Sequence, residues 1–171
     1  TVDPYITRAT LYYRADSTEE WIEVTSDITI PANAELKLVV NFDKIPLTDL
    51  QNSGGLLLCQ LPALLRNPTA DGVVTDKNGD AIGDVSVNDG TLTIDFYDTW
   101  LAEQEASGNT QIGGSFYATS QIDLSAIGED GEAELILGSV VIKAHFQEDI
   151  LAKNGTVTLT KTASAQIVES A

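Results

Sequence analysis

Histidine and cysteine are nearly absent from this sequence, which contains one of each, His145 and Cys59. The scarcity of histidine excludes a metal centre built from several imidazoles, and a lone cysteine cannot form a disulfide within the chain. The sequence also lacks the Gly-x-Ser-x-Gly motif of many hydrolases and a glycine-rich phosphate-binding loop. These absences predict a protein that is not an enzyme and that uses no cofactor.

The two lone residues have structural interpretations. Cys59 and Gln60 are neighbours in a predicted strand, so their side chains point to opposite faces and cannot readily meet to form a thioester. We therefore expect Cys59 to serve as a small apolar core residue. His145 lies in another predicted strand, on the face opposite the apolar residues, and is expected at the surface or partly buried.

Basic residues are scarce as well: 9 Lys and Arg stand against 26 Asp and Glu, for a net charge of −17. Nucleic acids and membrane surfaces are themselves anionic and would repel such a chain, so neither is an expected partner. The acidic residues are spread along the chain, which favours a solvated surface. No apolar run approaches the length of a membrane span, so membrane insertion is not expected.

What the sequence does have is apolar content, 43% of the residues, arranged with a period of two. This alternation is the pattern of half-buried β-strands. Residues 56–61 form a short, mainly apolar run that ends at Pro62, which predicts a buried strand. The residues predicted to form the core are Leu36, Leu38, Val40, Phe42, Leu92, Ile94, Phe96, Ile142 and Phe146.

Turn and helix signals divide these strands. Asn78-Gly79 and Asp89-Gly90 predict two-residue hairpin turns, in which both central residues need a positive φ. The glycine pair at positions 113 and 114 predicts a break. A short helix is predicted over residues 99–105, capped by an aspartate and with Trp100 buried.

Together these signals predict an all-β fold, an antiparallel β-sandwich of Ig-like or jelly-roll type with about ten short strands and one or two short helical turns. The domain is expected to cover residues 1–163, with 164–171 a linker or the beginning of a following domain.

A calcium loop is suggested by Asp76, Asn78 and Asp80, but an EF-hand also needs glycine at its sixth position and glutamate at its twelfth. The sequence has Ala81 and Val87 there. A hairpin tip explains the same residues, so no metal is expected, and a loose calcium site made by Asp76, Asn78 and Asp80 remains the alternative.

Lys161 is the one strand lysine whose pattern points inward, since it shares a face with Val157 and Leu159. An isopeptide bond needs such a buried, neutral amine beside a protonated carboxyl group. Lys37 and Lys143 lie opposite the apolar residues of their strands and are expected to face solvent.

The order of the predicted strands and turns resembles that of a known group of proteins, and the matching stretches are residues 34–43, 55–62, 75–79, 90–96, 114–118 and 157–163. In these stretches the chain resembles the N-terminal Ig-like β-sandwich modules of Gram-positive cell-surface adhesins and pilus-like wall-anchored proteins. The resemblance covers residues 20–163. It implies that Lys161 donates an isopeptide bond to a following domain.

The resemblance also implies an extracellular module attached to the cell wall through regions outside this chain. Its expected role is non-covalent ligand binding or that of a spacer in a stalk. The expected partners are a host matrix protein, a glycan or neighbouring domains, and we expect a monomer. A carbohydrate-binding module is the alternative; such modules need exposed aromatic rings.

Binding on a β-sandwich is expected through its loops, because the sheets are committed to the core. The longest polar candidates are residues 67–72, 107–114 and 127–131. The predicted ligand-binding residues are Asn67, Asp71, Asn109, Gln111, Glu129 and Asp130.

Overall fold

The structure is a computed structural model that describes residues 1–31, 33–70 and 72–147. Asp71, Lys161, the predicted strand at residues 157–159 and the domain boundary at residue 163 lie outside the described residues.

The chain forms an all-β sandwich, which confirms the predicted fold class. Twelve strands are described: β1 (Ile6–Arg14), β2 (Ile22–Glu23), β3 (Thr29–Ile30), β4 (Glu35–Pro46), β5 (Leu56–Gln60), β6 (Leu65–Thr69), β7 (Val73–Thr75), β8 (Ala81–Asn88), β9 (Thr91–Phe96), β10 (Gln111–Ile122), β11 (Glu132–Leu137) and β12 (Val140–Phe146). The helices are α1 (Leu47–Asn52) and α2 (Asp98–Ala106), with 3-10 turns at Asp3–Tyr5 and Leu124–Ala126.

The large sheet has nine strands in the order β2-β1-β4-β10-β7-β8-β9-β5, with β6 also pairing with β10. The small sheet has the order β11-β12-β3, and its β3–β12 pair is parallel, which departs from the antiparallel prediction. In the large sheet, every pair of neighbouring strands is antiparallel. The long strands β4 and β10 are neighbours at its centre.

The large sheet curls over on itself. Three strands lie between β4 and β9 in the sheet, yet the rings of Phe42 on β4 and Phe96 on β9 meet edge to face with centroids 6.3 Å apart. At the sheet's ends, the N–H of Val2, just before β1, donates to the carbonyl of Leu58 on β5 (2.8 Å). The apolar face of each strand is thereby enclosed, and residues of the small sheet, including Leu135, join the same core.

The predicted core residues are buried with one exception. Ile142 is only partly buried because it lies at the rim between β1 and β12. The prediction of a fully buried strand at residues 56–61 is wrong: Leu57 and Cys59 are buried, but Leu56 and Leu58 are 46% and 45% exposed. β5 ends the strand order of its sheet, and only one of its faces meets the core.

The predicted turns are realised in part. Asp89 and Gly90 both have positive φ, 51° and 78°, as a two-residue hairpin requires. At the other predicted hairpin only Gly79 has positive φ, and the turn closes between Asp76 and Asp80 through a hydrogen bond from the N–H of Asp76 to the carbonyl of Asp80 (2.9 Å). This larger loop leaves the side chain of Asn78 exposed at its tip.

The break predicted at the glycine pair is wrong, because both glycines lie inside β10. A Cβ on Gly114 would lie 2.5 Å from the carbonyl oxygen of Thr75, and one on Gly113 would collide with the carboxylate of Asp43. These glycines therefore allow β7 and β4 to approach β10 closely.

Candidate functional site

Helix α2 presents Trp100 and Gln104 on one face, since residues four apart in a helix are neighbours on its surface. The ring of Trp100 stacks on that of Phe96, with centroids 5.7 Å apart and planes 19° apart. Trp100 was predicted to be buried and is partly buried, packed against the core. Phe96 belongs to the core, so it supports one face of the indole while the other part of the ring reaches the surface.

The end of α2 places Asn109 beside Gln104. Gly108 follows the helix with a φ of 77°, which glycine adopts without strain. The N–H of Gly108 donates to the carbonyl of Glu105, and the N–H of Asn109 donates to that of Gln104, both at 3.0 Å; this is the Schellman arrangement. The side-chain amide of Asn109 also donates to Oε1 of Gln104 (2.7 Å).

The end of β4 contributes Asp43 through a β-bulge. The register with β10 shifts between Ile112 and Gly114, and Lys44 takes a φ of 61°, which is uncommon for a residue with a side chain. Bulges re-aim side chains, and here the Asp43 carboxylate accepts a hydrogen bond from the N–H of Lys44 (2.9 Å). Its other oxygen lies 3.7 Å from Nζ of Lys77.

The turn between β7 and β8 is the third segment of the site and contains Asp76, Lys77 and Asn78. Oδ1 of Asp76 accepts hydrogen bonds from the N–H groups of Asn78 (2.9 Å) and Asp80 (3.0 Å). Asp76 is thus engaged in shaping its own turn, and Lys77 and Asn78 project from that turn.

These three segments surround a cleft of about 340 Å³, which we name the Trp100 cleft. Its walls are Trp100 and Gln104 on one side and Asp43, Asp76, Lys77 and Asn78 on the other, and Asn109 and Gln111 lie between them. The volume falls in the range of about 300–1,000 Å³ that is usual for small-molecule sites. Four residues singled out from the sequence, Asp76, Asn78, Asn109 and Gln111, are brought together here.

The other predicted ligand-binding residues lie elsewhere. Asn67 is inside β6 rather than in a loop and has a φ of 50°. β6 pairs with the last residues of β10, and Glu129 and Asp130 follow the same end of that strand. Since β10 has twelve residues, its ends are roughly 35 Å apart, so these residues are remote from Asn109.

The residues of the loose calcium site that the sequence suggested, Asp76, Asn78 and Asp80, lie in the turn between β7 and β8. Within residues 1–31, 33–70 and 72–147, no three His, Cys, Asp or Glu side chains converge as a metal site would require. In the same part of the chain, none of the helices is long and apolar enough to cross a membrane.

A larger cleft, of about 560 Å³, lies between β1 and β12. Arg8, Lys143 and His145 line it together with Glu23, and Nδ1 of His145 is 3.8 Å from Oε2 of Glu132. Three basic residues and one acidic residue therefore line it, and none of the predicted ligand-binding residues lies on it. His145 is partly buried and Lys143 is exposed, as predicted.

Cys59 is fully buried, as predicted. Burial, together with the charge of Asp3, raises the pKa of the Cys59 thiol to about 12 from its ordinary value of 9.0. Unfolding above pH 9 therefore releases a proton, and the contribution of this thiol to stability falls as the pH rises from 9 to 12.

We expect the Cys59 thiol to resist an aromatic disulfide reagent at pH 8 in the native protein, because the reactive thiolate is nearly absent and the sulfur is inaccessible. In concentrated urea one equivalent should react at once. Rapid stoichiometric reaction without denaturant would contradict the burial of Cys59.

Three cleft residues were not singled out from the sequence: Asp43, Lys77 and Gln104. The four-residue spacing of Trp100 and Gln104 on a short helix was a usable signal for one of them. Nothing local marks Asp43, whose position depends on the bulge and on its neighbour in the sheet.

Comparisons with known proteins give little to set beside this geometry. No protein-family model matches the chain, and no curated protein matches it significantly. Among solved structures, it is similar to the serine-rich repeat adhesion glycoprotein Srr1 of Streptococcus agalactiae, at 12% identity and a TM-score of 0.45, over 85% of this chain. The chain spans 47% of the length of that structure. Similarity at this TM-score does not establish a common fold or function.

Proposed function

We propose that this chain is a non-covalent ligand-binding module of a cell-surface protein and that it binds through the Trp100 cleft. The observation that carries the proposal is the convergence of three separate segments on one partly exposed tryptophan. Each segment brings a planar polar side chain: Gln104 in α2 and Asn109 just after it, Asn78 from the turn, and Asp43 from the bulge.

The chemistry of the cleft suits recognition. Ligand sites combine an apolar surface with a few well-placed polar groups that fix orientation. Trp100 supplies the apolar surface, and its contact with Phe96 holds the ring in place. Asn78 and Gln111 are exposed and make no side-chain hydrogen bond to another described residue, so their amides are available to a ligand.

The resemblance of the sequence to modules of Gram-positive adhesins supports the proposed surface location. The rival role within that same group is a spacer, which holds a separate binding domain away from the cell wall and has no ligand of its own. A partly exposed tryptophan that lines a polar cleft supports binding over the spacer role, because a ligand site needs an apolar surface among polar groups and a spacer does not.

A binding screen on the protein displayed in many copies on beads tests this proposal, since avidity reveals weak interactions. The beads are exposed to immobilised matrix proteins and to a printed glycan array. We expect a ligand that binds the unmodified protein and is lost, by at least about 10-fold, in Trp100→Ala.

Trp21→Ala is the matched control. Trp21 is also partly exposed, but its ring centroid lies 5.8 Å from Nζ of Lys37, near the other end of β4 from Asp43. Binding that survives Trp100→Ala and is lost in Trp21→Ala would place the site elsewhere. If the displayed protein binds nothing in either screen, the binding proposal is overturned and the spacer role is the one left.

A further inference from the structure

We infer that the ligand of the Trp100 cleft is a neutral saccharide; this rests on the proposed function and names its ligand. The first observation is the stacking of Trp100. Since Phe96 covers one face of the indole in a nearly parallel arrangement, a ligand can reach only the opposite face. A flat aromatic face of this kind suits the C–H face of a sugar ring.

The second observation is the hydrogen-bonding pattern next to that ring. Asn109 donates one amide hydrogen to Oε1 of Gln104. This fixes the orientation of both groups, with the Gln104 amide as a donor and the Asn109 carbonyl as an acceptor. A neighbouring donor and acceptor match adjacent hydroxyl groups, each of which both donates and accepts.

The third observation is charge. Asp43, Asp76 and Lys77 together leave one net negative charge in the cleft, in a protein whose net charge is −17. Sialylated, sulfated and phosphorylated ligands are therefore disfavoured.

A cationic ligand, such as an arginine side chain of a partner protein, is disfavoured for a different reason. The Asp43 carboxylate already faces Lys77 and accepts from the N–H of Lys44, and Oδ1 of Asp76 accepts from two N–H groups of its own turn, so each carboxylate has a partner before a ligand arrives. The groups that remain available are mainly amides, which are neutral, and neutral hydroxyl groups are their natural partners.

The cleft has room for more than one sugar ring. On the other side of the Asp43–Lys77 pair lies a second depression of about 250 Å³, lined by Thr7, Asn41 and Ser115. The pair is at the surface, with the Lys77 side chain 78% exposed, so it holds Lys77 only weakly. An oligosaccharide lying across both depressions would contact Trp100 at one end and these polar residues at the other.

The test uses Trp21→Phe protein, in which Trp100 is the only tryptophan, and follows its fluorescence during titration. The probe is the neutral oligosaccharide that binds most strongly on a glycan array. We expect saturable change in Trp100 emission, and affinity at least about 10-fold lower for the sialylated or sulfated form of the same glycan.

Two surface variants separate binding from folding, because Gln104→Ala and Asn109→Ala leave the core untouched. Each should weaken binding of the neutral glycan by about 5-fold. Gln121→Ala, at the far exposed end of β10, is the matched control and should change nothing.

The inference is overturned if no neutral glycan on the array binds, if the anionic form binds more tightly, or if an arginine-rich peptide binds instead and requires Trp100. Suppose that no neutral glycan binds but a matrix protein does, and that its binding requires Trp100. This result would overturn the inference of a saccharide ligand and would support the proposed function. If no glycan on the array and no matrix protein binds, the saccharide inference and the proposed function are both overturned.

Discussion

Replacing Phe96 by alanine will lower the free energy of unfolding by about 3–5 kcal/mol, the usual cost of removing a buried aromatic ring. Phe96 is 1% exposed and joins two parts of the curled large sheet, β4 and β9, through its edge contact with Phe42. Its ring also stacks on that of Trp100. If Phe96→Ala protein still folds, it should therefore bind ligand at the Trp100 cleft more weakly.

Urea unfolding measures the first effect as a shift of the midpoint at constant slope. Phe116→Ala is the matched control, since Phe116 is 2% exposed and its ring centroid lies 6.1 Å from that of Phe42. It should destabilise to a similar extent without changing ligand affinity. A loss below about 1 kcal/mol for Phe96→Ala would show that β4 and β9 do not pack as described.

Replacing Gly83 by alanine will destabilise the protein by about 1–3 kcal/mol or more, although it adds one methyl group. The new Cβ would lie 2.7 Å from the carbonyl oxygen of Asp95, and 2.9 Å from both the Cα of Phe96 and the Cγ1 of Val74. Two of these atoms are backbone atoms of β9, which cannot move without disturbing the β8–β9 pairing.

Thermal unfolding, followed by circular dichroism, measures the effect of Gly83→Ala. The control is Ser86→Ala on the exposed face of the same strand, which should change stability by no more than about 0.5 kcal/mol. Equal midpoints for the two variants would mean that β8 and β9 are not in the described register.

The strands that were predicted well are those with one buried face. In β4 and β9 the alternation of residues such as Leu38 and Ile94 with polar neighbours directly reflects core and solvent. β5 misled the interpretation because both of its faces carry apolar side chains, and the sequence does not show that Leu56 and Leu58 are at the surface.

One strand that was missed, β10, is the neighbour of β4 at the centre of the sheet. Its glycine pair resembles a chain break, but the glycines are there because backbone and side-chain atoms of β4 and β7 come too close for a Cβ. Close approach between strands distant in sequence leaves no local signal that distinguishes it from a turn.

The site was predicted in part for the same reason. Polar residues in turns, such as Asn109 and Asn78, were recognisable as candidates because turn residues carry function on a β-sandwich. These residues meet at one cleft because β10 lies between β4 and β7. The sequence of a single segment does not predict the order of strands in the sheet.

The central claim is that ligand contacts the chain at the Trp100 cleft, and backbone amide chemical shifts test it most directly. The strongest-binding glycan or matrix fragment from the screen is added to isotope-labelled protein until the shifts no longer change. We predict that the largest changes fall on the indole N–H of Trp100 and on residues 76–78 and 104–113. Changes centred on Asn67, Glu129 and Asp130, or on the cleft between β1 and β12, would contradict the claim.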